Sequence, residues 1–426
     1  MEREDRRPWY FLHIPKTAGT TFRVLLENQF HMDAICPAYE FFQMKPYDEE
    51  RLREFRLFRG HMGYSLVNYL PVKPRVLVML RDPMERTVSH FEYIRRDPAH
   101  PKHRMIHERK MGLKEYLQDP VLSAEVTNAQ VRPLAHLANQ GLLRELLDAT
   151  DSQDAFARAW RHREGVLPPD DELLDVALER LEAADFVGVA ERLEQGMALA
   201  ARLLGAAPPQ HLQSLNINPR RTRLDELPDD VLDLLQALTR LDRKLYQRGL
   251  VLFEGRFNAM QNSTGSEDRL PAAAAMSRGE TGVLTVDFAQ PLRGDGWHQR
   301  ELVPGKGVLR WTGPGTESSI DLSFPASQAY RLRIAIADWV SETVLHSLRL
   351  YLDDTRLPVE LVGEDGQLYA LADIHASLVS AEQGTQRLYL RLDGTETQAA
   401  SHARGIDHSH SRKLGISVQG FEFIPA

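Results

Sequence analysis

The sequence predicts an α/β first part, a parallel sheet flanked by helices, followed by a C-terminal antiparallel β-sandwich. Three observations lead there. In the first part, unbroken apolar runs such as Val76–Leu80 alternate with amphipathic stretches, the pattern of strands buried on both faces. In the last part, short β-rich runs are separated by Gly, Pro and Asp turns. Glycine also becomes denser, with 12 in residues 1–274 and 15 in the shorter 275–426. The small, polar stretch NAMQNSTGSEDRLPAAAAMSRGETG lies at the change. The expected division is therefore 1–260, a linker at 261–282, and 283–426.

The elements follow in order. Trp9–Ile14 is a short apolar strand, and Thr20–Phe30 places Phe22, Leu25, Leu26 and Phe30 at helical spacing. Phe55–Phe58 and Val76–Leu80 read as strands. Pro83–Arg95 reads as a helix with Asp82 as N-cap, Pro83 at the first position, and Met84, Val88 and Phe91 on one face. Asp185–Ala190 is another buried strand, and helices are expected over 170–183, 191–205 and 229–247. In the last part, strands are expected at 284–288, 308–311, 319–324, 330–335, 345–352, 386–392 and 414–423.

Composition excludes several classes. The 426 residues are 42% apolar and 26% charged, as in folded globular protein. A single cysteine, Cys36, excludes internal disulfides and a Cys-rich zinc site. The net charge of −8 speaks against a nucleic-acid coat. The opening MEREDRRPWYF lacks the apolar stretch of a signal peptide, and no run reaches the ~18–20 apolar residues of a membrane span. The expectation is a cytoplasmic protein without a transmembrane anchor.

The strongest signal is Phe11-Leu12-His13-Ile14-Pro15-Lys16-Thr17-Ala18-Gly19-Thr20-Thr21-Phe22. A strand ends, a loop of small residues follows, and a helix starts. Such a turn aims backbone N–H groups at an anion from the positive end of a helix. Gly19 allows close approach, Thr20 and Thr21 add hydroxyls, and Lys16 adds a charge. The loop is P-loop-like, yet its lysine precedes the glycine, unlike G-x-x-x-x-G-K-[ST].

These residues resemble the cofactor loop of sulfotransferases that use 3′-phosphoadenosine 5′-phosphosulfate (PAPS). The form is that of the carbohydrate 2-O/6-O sulfotransferase-like branch. The resemblance implies the sulfotransferase fold, with Lys16 at the bridging oxygen and sulfuryl group. It also implies that Thr17, Ala18, Gly19, Thr20 and Thr21 form the 5′-phosphate loop. A second motif, Leu80-Arg81-Asp82-Pro83-Met84-Glu85-Arg86-Thr87-Val88-Ser89, resembles the family's R-D-P-x-x-R-x-x-S pattern. It implies Arg81 and Ser89 as 3′-phosphate ligands, while Arg86 is either part of that pattern or the partner of a carboxylate. Weaker echoes at Asn128–Arg132, Phe186–Arg192, Asp242 and Leu245-Tyr246 extend the resemblance over about residues 9–255. Asn128 and Gln130 are either cleft-lining residues or helix-surface polar groups.

Sulfuryl transfer to an alcohol needs a base, and His61 is the expected one among sixteen histidines. It sits in Phe58-Arg59-Gly60-His61-Met62-Gly63-Tyr64, just past a strand, and resembles the family's Gly-His. Arg59 stands where a further histidine is often found, so a two-histidine mechanism is not expected. His13, Glu27 and His31 are the rival bases. No carboxylate motif calls for magnesium, so no metal is expected, and Asp407-His408-Ser409-His410 reads as a solvated loop.

In the last part, Gly296–Glu301, Leu309–Trp311 and Arg412–Ile416 resemble a β-sandwich domain appended to bacterial glycan-processing enzymes. Trp297 and Trp311 either stack on sugar or pack the core. The charge is also uneven: +5 over residues 1–110, −8 over 111–274 and −5 over 275–426. The positive segment holds both phosphate motifs. The expected function is transfer of a sulfuryl group from PAPS, with 3′-phosphoadenosine 5′-phosphate (PAP) as product. The acceptor expected is a carbohydrate, glycolipid or polysaccharide precursor. A kinase on related architecture, or a non-catalytic carbohydrate-binding protein with a relic nucleotide site, are the alternatives.

Overall fold

Four parallel strands form the first sheet: β1 (Trp9–Leu12), β2 (Leu57–Gly60), β3 (Arg75–Leu80) and β4 (Phe186–Val189), in the order β2-β1-β3-β4. The computed structural model describes residues 7–136, 140–151, 154, 172–206, 222–262, 276–279, 281–380, 384–398 and 412–426. Tyr10, Phe11 and Leu12 of β1 are fully buried, as are Leu77 to Leu80 of β3. A strand with no solvent face needs unbroken apolar sequence, which is why these runs were legible. Helices α1 (Gly19–Glu27), α2 (Pro83–Arg96), α3 (Val131–Ala135), α4 (Leu173–Glu182), α5 (Leu193–Leu203), α6 (Asp229–Leu238) and α7 (Arg240–Asn262) are the ones that bear on the site. The Asp82 carboxylate accepts the Glu85 N–H at 2.9 Å and caps α2, with Pro83 opening the helix.

The helix expected over 229–247 is two helices that break at Thr239, whose hydroxyl donates to the Leu235 carbonyl at 2.7 Å. The second of them runs on to Asn262. Small residues let it pack closely on the sheet: a Cβ at Gly249 would lie 2.5 Å from Leu80 Cδ1. Among the described residues, no helix is long and apolar enough to cross a membrane.

The last part is antiparallel. The strands are β5 (Ser277–Arg278), β6 (Leu284–Asp287), β7 (Glu301–Val303), β8 (Gly307–Trp311), β9 (Glu317–Leu322), β10 (Tyr330–Trp339), β11 (Arg349–Leu352), β12 (Thr355–Leu357), β13 (Glu360–Glu364), β14 (Gln367–Ile374), β15 (Gln386–Arg391), β16 (Glu396–Gln398), β17 (Arg412–Leu414) and β18 (Ile416–Pro425). One sheet runs β13-β14-β10-β18-β6-β5, with β8 also on β18 and β7 on β8; another runs β12-β11-β15-β9. β16 pairs with β17. Ile334 and Phe421 of the first sheet share a core with Ile320, Leu350 and Leu388 of the other, the packing of a sandwich.

The sequence expectation differs here in two places. The first two residues of the strand expected over 345–352 instead end a short helix, Glu342–His346, because Ser341 accepts the Val344 N–H as an N-cap. The hairpin β13–β14 was not expected, although Asp365 (φ 49°) and Gly366 (φ 80°) are its left-handed turn residues.

The chain divides into two compact units. The first is drawn from Met1–Arg23, Asp33–Ala200 and Asn216–Ser266, the second from Val24–Met32, Ala201–Leu215 and Glu267–Ala426. Within the second, Arg300 donates to the carbonyls of Glu27 and Phe30, and Arg310 to Asn28 Oδ1 at 2.7 Å. The Arg300 guanidinium thus binds carbonyls at and just past the C-terminal end of α1, and the helix ends at Glu27 rather than at the expected Phe30.

Candidate functional site

Parallel pairing decides what meets what. Leu12 of β1 pairs with Gly60 of β2 on one side and Val78 of β3 on the other. The C-terminal ends of three neighbouring strands therefore share one edge. The loop His13–Ala18 leaves β1, His61 leaves β2, and Arg81 leaves β3. The strand order reverses between β1 and β3, the position where open α/β sheets form their binding crevice. Ser89 lies half-buried on α2, which starts two residues after Arg81.

The loop after β1 is held in an unusual backbone state. Lys16 (φ 71°) and Ala18 (φ 62°) are both left-handed although each carries a Cβ. Such a residue costs about 1–2 kcal/mol unless its surroundings impose it. The surroundings are visible. Thr17 is fully buried and its hydroxyl donates to the Ile14 carbonyl at 2.8 Å. Arg86 Nη1 donates to the Pro15 carbonyl at 3.0 Å, and Arg81 Nη1 to the Lys16 carbonyl at 3.1 Å. Thr20 and Thr21 follow Gly19 in the first turn of α1. The Lys16 ammonium sits 4.3 Å from the Tyr93 ring centroid on α2, a cation–π contact.

Gly19 has a specific reason. A Cβ there would lie 1.9 Å from His13 Nε2. The His13 ring covers that side of the loop, stacks on Phe11 at 5.1 Å, and hydrogen-bonds the Tyr39 hydroxyl through Nδ1. Burial first, then the charges of His61, Arg23 and Lys16, hold the His13 pKa well below the usual imidazole range. Its burial, its stacking on Phe11 and its contact with Gly19 make the ring a packing group beside the loop.

His61 is placed differently. It is half-buried, and its Nδ1 lies 2.8 Å from the His13 backbone carbonyl. A carbonyl oxygen only accepts, so Nδ1 carries a proton, and in the neutral form of the ring the lone pair is on Nε2. The ring is 4.7 Å from His13 and 4.9 Å from Tyr39. Gly60 supports this arrangement: its φ is 147°, and a Cβ would lie 2.0 Å from the Tyr39 carbonyl. Arg59 donates to the carbonyls of Cys36 and Ala38 at 2.7 and 3.0 Å, so it fixes the 36–38 segment.

Glu27 is the last residue of α1, about 12 Å along the axis from Gly19 at 1.5 Å per residue, and Glu27 and His31 both group with the second unit. Asn128 and Gln130 are not cleft-lining groups. Asn128 Oδ1 accepts the Leu241 N–H at 3.0 Å. Gln130 is fully buried; its side chain accepts the Arg81 N–H at 3.0 Å and donates to the Arg81 carbonyl at 2.8 Å. The Gln130 N–H in turn donates to Asp242 Oδ1 at 3.0 Å, and the Val131 N–H to the same oxygen at 2.8 Å. Burial pushes Asp242 up to about 6.

Sequence reasoning missed Tyr39, Tyr93 and Glu40. Burial pushes Glu40 up to about 7. Tyr39 and Glu40 lie in an irregular segment with no motif to mark them. Tyr93, four residues after Ser89, was accessible through helical spacing. α2 also carries His90, 3.7 Å from Glu125. Burial brings His90 down to about 4. Burial raises Glu125, but bonds from His90 and Lys102 more than offset that and leave it at about 2.

In the second unit, Trp297 and Trp311 are 6% and 7% exposed, which removes them as sugar platforms. Trp297 donates to the Ser319 carbonyl at 2.8 Å and packs on Phe288 and Phe421. Asp407-His408-Ser409-His410 lies outside the described residues.

No family model and no curated protein matches the chain. Among solved structures, a family 35 carbohydrate-binding module from Clostridium thermocellum matches at 9% identity and TM-score 0.20, over 36% of this chain and 100% of that chain. A mannan-recognising carbohydrate-binding module, TmCBM27, matches at 11% identity and TM-score 0.17, over 36% and 99%. A family GH115 4-O-methyl-α-glucuronidase, BtGH115A, matches at 10% identity and TM-score 0.19, over 91% of this chain and 48% of that chain. Likenesses at these TM-scores do not bear on what the chain does.

Proposed function

We propose that the chain is a PAPS-dependent O-sulfotransferase with the P-loop-like sulfotransferase fold, acting on a hydroxyl of a carbohydrate or glycoconjugate. The observation that carries the reading is the His61 tautomer. Its Nδ1 proton is committed to the His13 carbonyl at 2.8 Å, which leaves Nε2 as a base at the strand edge that also bears Lys16 and Arg81.

The residues fit a donor with phosphates at both ends. Arg86 is 2% exposed, and its Nε and Nη2 have no hydrogen-bond partner, so a positive charge is stored directly behind the loop. Lys16, Thr17, Ala18, Gly19, Thr20 and Thr21 would hold the 5′-phosphate end, and Arg81 and Ser89 the 3′-phosphate. When bound, the donor supplies the sulfuryl group and a phosphate leaving group.

The chain's own residues do the rest. His61 Nε2 takes the proton of the acceptor hydroxyl as that oxygen attacks sulfur. Lys16 neutralises the charge that gathers on the departing phosphate oxygen. The loop amides and Arg81 fix the donor so that attack is in line.

The test is a labelled-sulfate transfer assay from PAPS over a panel of sugars and glycolipids, with and without EDTA. Transfer that survives EDTA is expected. Magnesium-dependent use of ATP with no sulfate transfer would sink the reading.

A further inference from the structure

We propose that Arg86 is a positioning residue of the phosphate loop, acting with Arg81 by holding two successive carbonyls and thereby aiming the amides behind them. The proposal rests on the reading of that loop as the 5′-phosphate site.

The geometry is on the main chain. The carbonyls of Ile14, Pro15 and Lys16 are each tied down, by Thr17 Oγ1 at 2.8 Å, Arg86 Nη1 at 3.0 Å and Arg81 Nη1 at 3.1 Å. In a trans peptide the C=O and N–H point in opposite directions. The Pro15 carbonyl shares its peptide plane with the Lys16 N–H, and the Lys16 carbonyl shares its plane with the Thr17 N–H. Drawing both carbonyls toward the two guanidinium groups therefore turns both N–H groups the other way. Successive amides aimed to one side, with left-handed residues among them, form an anion-binding concavity. Lys16 at φ 71° is the backbone state that this arrangement demands.

The arginines are themselves fixed. Arg86 is 2% exposed, and two of its nitrogens lack hydrogen-bond partners, so its hydrogen bond to the Pro15 carbonyl sets its direction. Asp242, 1% exposed, supplies the opposite charge that acts on it. The same carboxylate accepts the Gln130 and Val131 N–H groups, and the Gln130 side chain clasps both backbone groups of Arg81. One buried carboxylate on α7 thus steadies both arginines. A carboxylate partner for Arg86 alone would be merely structural; the bond to Pro15 gives it a role in the loop.

The test uses three probes: adenosine 5′-monophosphate, adenosine 3′-monophosphate and the 3′,5′-bisphosphate PAP. Dissociation constants are measured by calorimetry for the wild-type chain, R86M and S89A. R86M is expected to weaken the 5′-monophosphate and PAP by about tenfold or more, with 3′-monophosphate binding within about twofold. S89A is expected to show the reverse selectivity. If R86M does not fold, R86K is read the same way, since it keeps the buried charge but its shorter ammonium falls short of Pro15. Unchanged 5′-phosphate affinity, or equal losses for both monophosphates, overturns the positioning role. If the wild-type chain binds none of the probes, the donor reading itself falls, and this role with it.

Discussion

The Nδ1 of His61 lies 2.8 Å from the backbone carbonyl of His13, so the end of one strand selects the tautomer of the residue leaving its neighbour. His61, the end of β1 and the loop that follows it are thus one continuous piece of structure. His61→Ala is expected to lower kcat by about 10²–10⁴ with little change in the melting temperature, since the ring is only half-buried. The rise of kcat with pH that a base produces should disappear in the variant. Retained turnover would redirect the base assignment to another group.

Lys16 should act on rate rather than stability. Lys16→Ala is expected to cost about 10²–10⁴ in kcat. Because residue 16 is left-handed at φ 71°, Lys16→Gly should be equally inactive yet at least as stable as the wild type. Ala18→Gly, at φ 62°, should gain about 0.5–1 kcal/mol, read as a higher urea midpoint. A loss of stability in Ala18→Gly would mean that the left-handed conformation is not imposed on the loop.

Gly19 and His13 should be coupled. Gly19→Ala brings a Cβ to 1.9 Å from His13 Nε2 and is expected to destabilise the first unit and abolish turnover. The double variant with His13→Ala should recover much of the lost stability, because it removes the clashing ring while keeping the carbonyl that His61 needs. A double-mutant cycle measures the coupling, and strictly additive losses would refute it.

Acid should unfold the protein through its buried histidines. His90, His136 and His298 are each lowered by burial to about 4, against an ordinary value near 6.5. The unfolded chain therefore binds more protons than the folded one between those values. The stability involved is fully present above about pH 6.5 and is lost as pH falls toward 4, at up to about 1.4 kcal/mol per pH unit for each ring. Melting temperatures at pH 7, 6 and 5 test this. His298→Gln should flatten the loss in the second unit, and a flat wild-type profile would refute the expectation.

Trp297→Ala should destabilise the second unit by about 3–5 kcal/mol, the cost of emptying a packed aromatic site. The measure is its unfolding midpoint. A folded variant of unchanged stability that had lost sugar binding would contradict the burial of this ring.

Much of the fold was legible because burial on both faces forces unbroken apolar strands, as at Val76–Leu80, and because capping leaves a local mark, as at Asp82-Pro83. The positions of Lys16, His61 and Arg81 were legible as strand ends, although only the register of β1 with β2 and β3 shows that they share one edge. What could not be read was the polar interior. Gln130 and Asp242 look like surface residues in a helical sequence, yet they are 0% and 1% exposed, whereas Arg86, 2% exposed, was readable as a possible partner of a carboxylate although not of which one. A buried polar group is specified by partners far along the chain, such as Asp242 for Gln130, and one sequence carries no local sign of them. The β13–β14 hairpin was different. Its Asp365-Gly366 turn was a readable signal that went unused.

The atom that orients His61 belongs to the main chain. Every residue type at position 13 brings the same carbonyl, so no single codon change can delete that contact. The side chain there is free to drift, within what Gly19 and Tyr39 tolerate, without touching the proton inventory of its neighbour. Only something that displaces the end of β1 can disturb it, such as an insertion near Ile14 or a repacking of the sheet beneath. Loss of function by that route would appear in a mutational survey as a silent spot at the orienting residue, surrounded by sensitive positions that never contact the histidine.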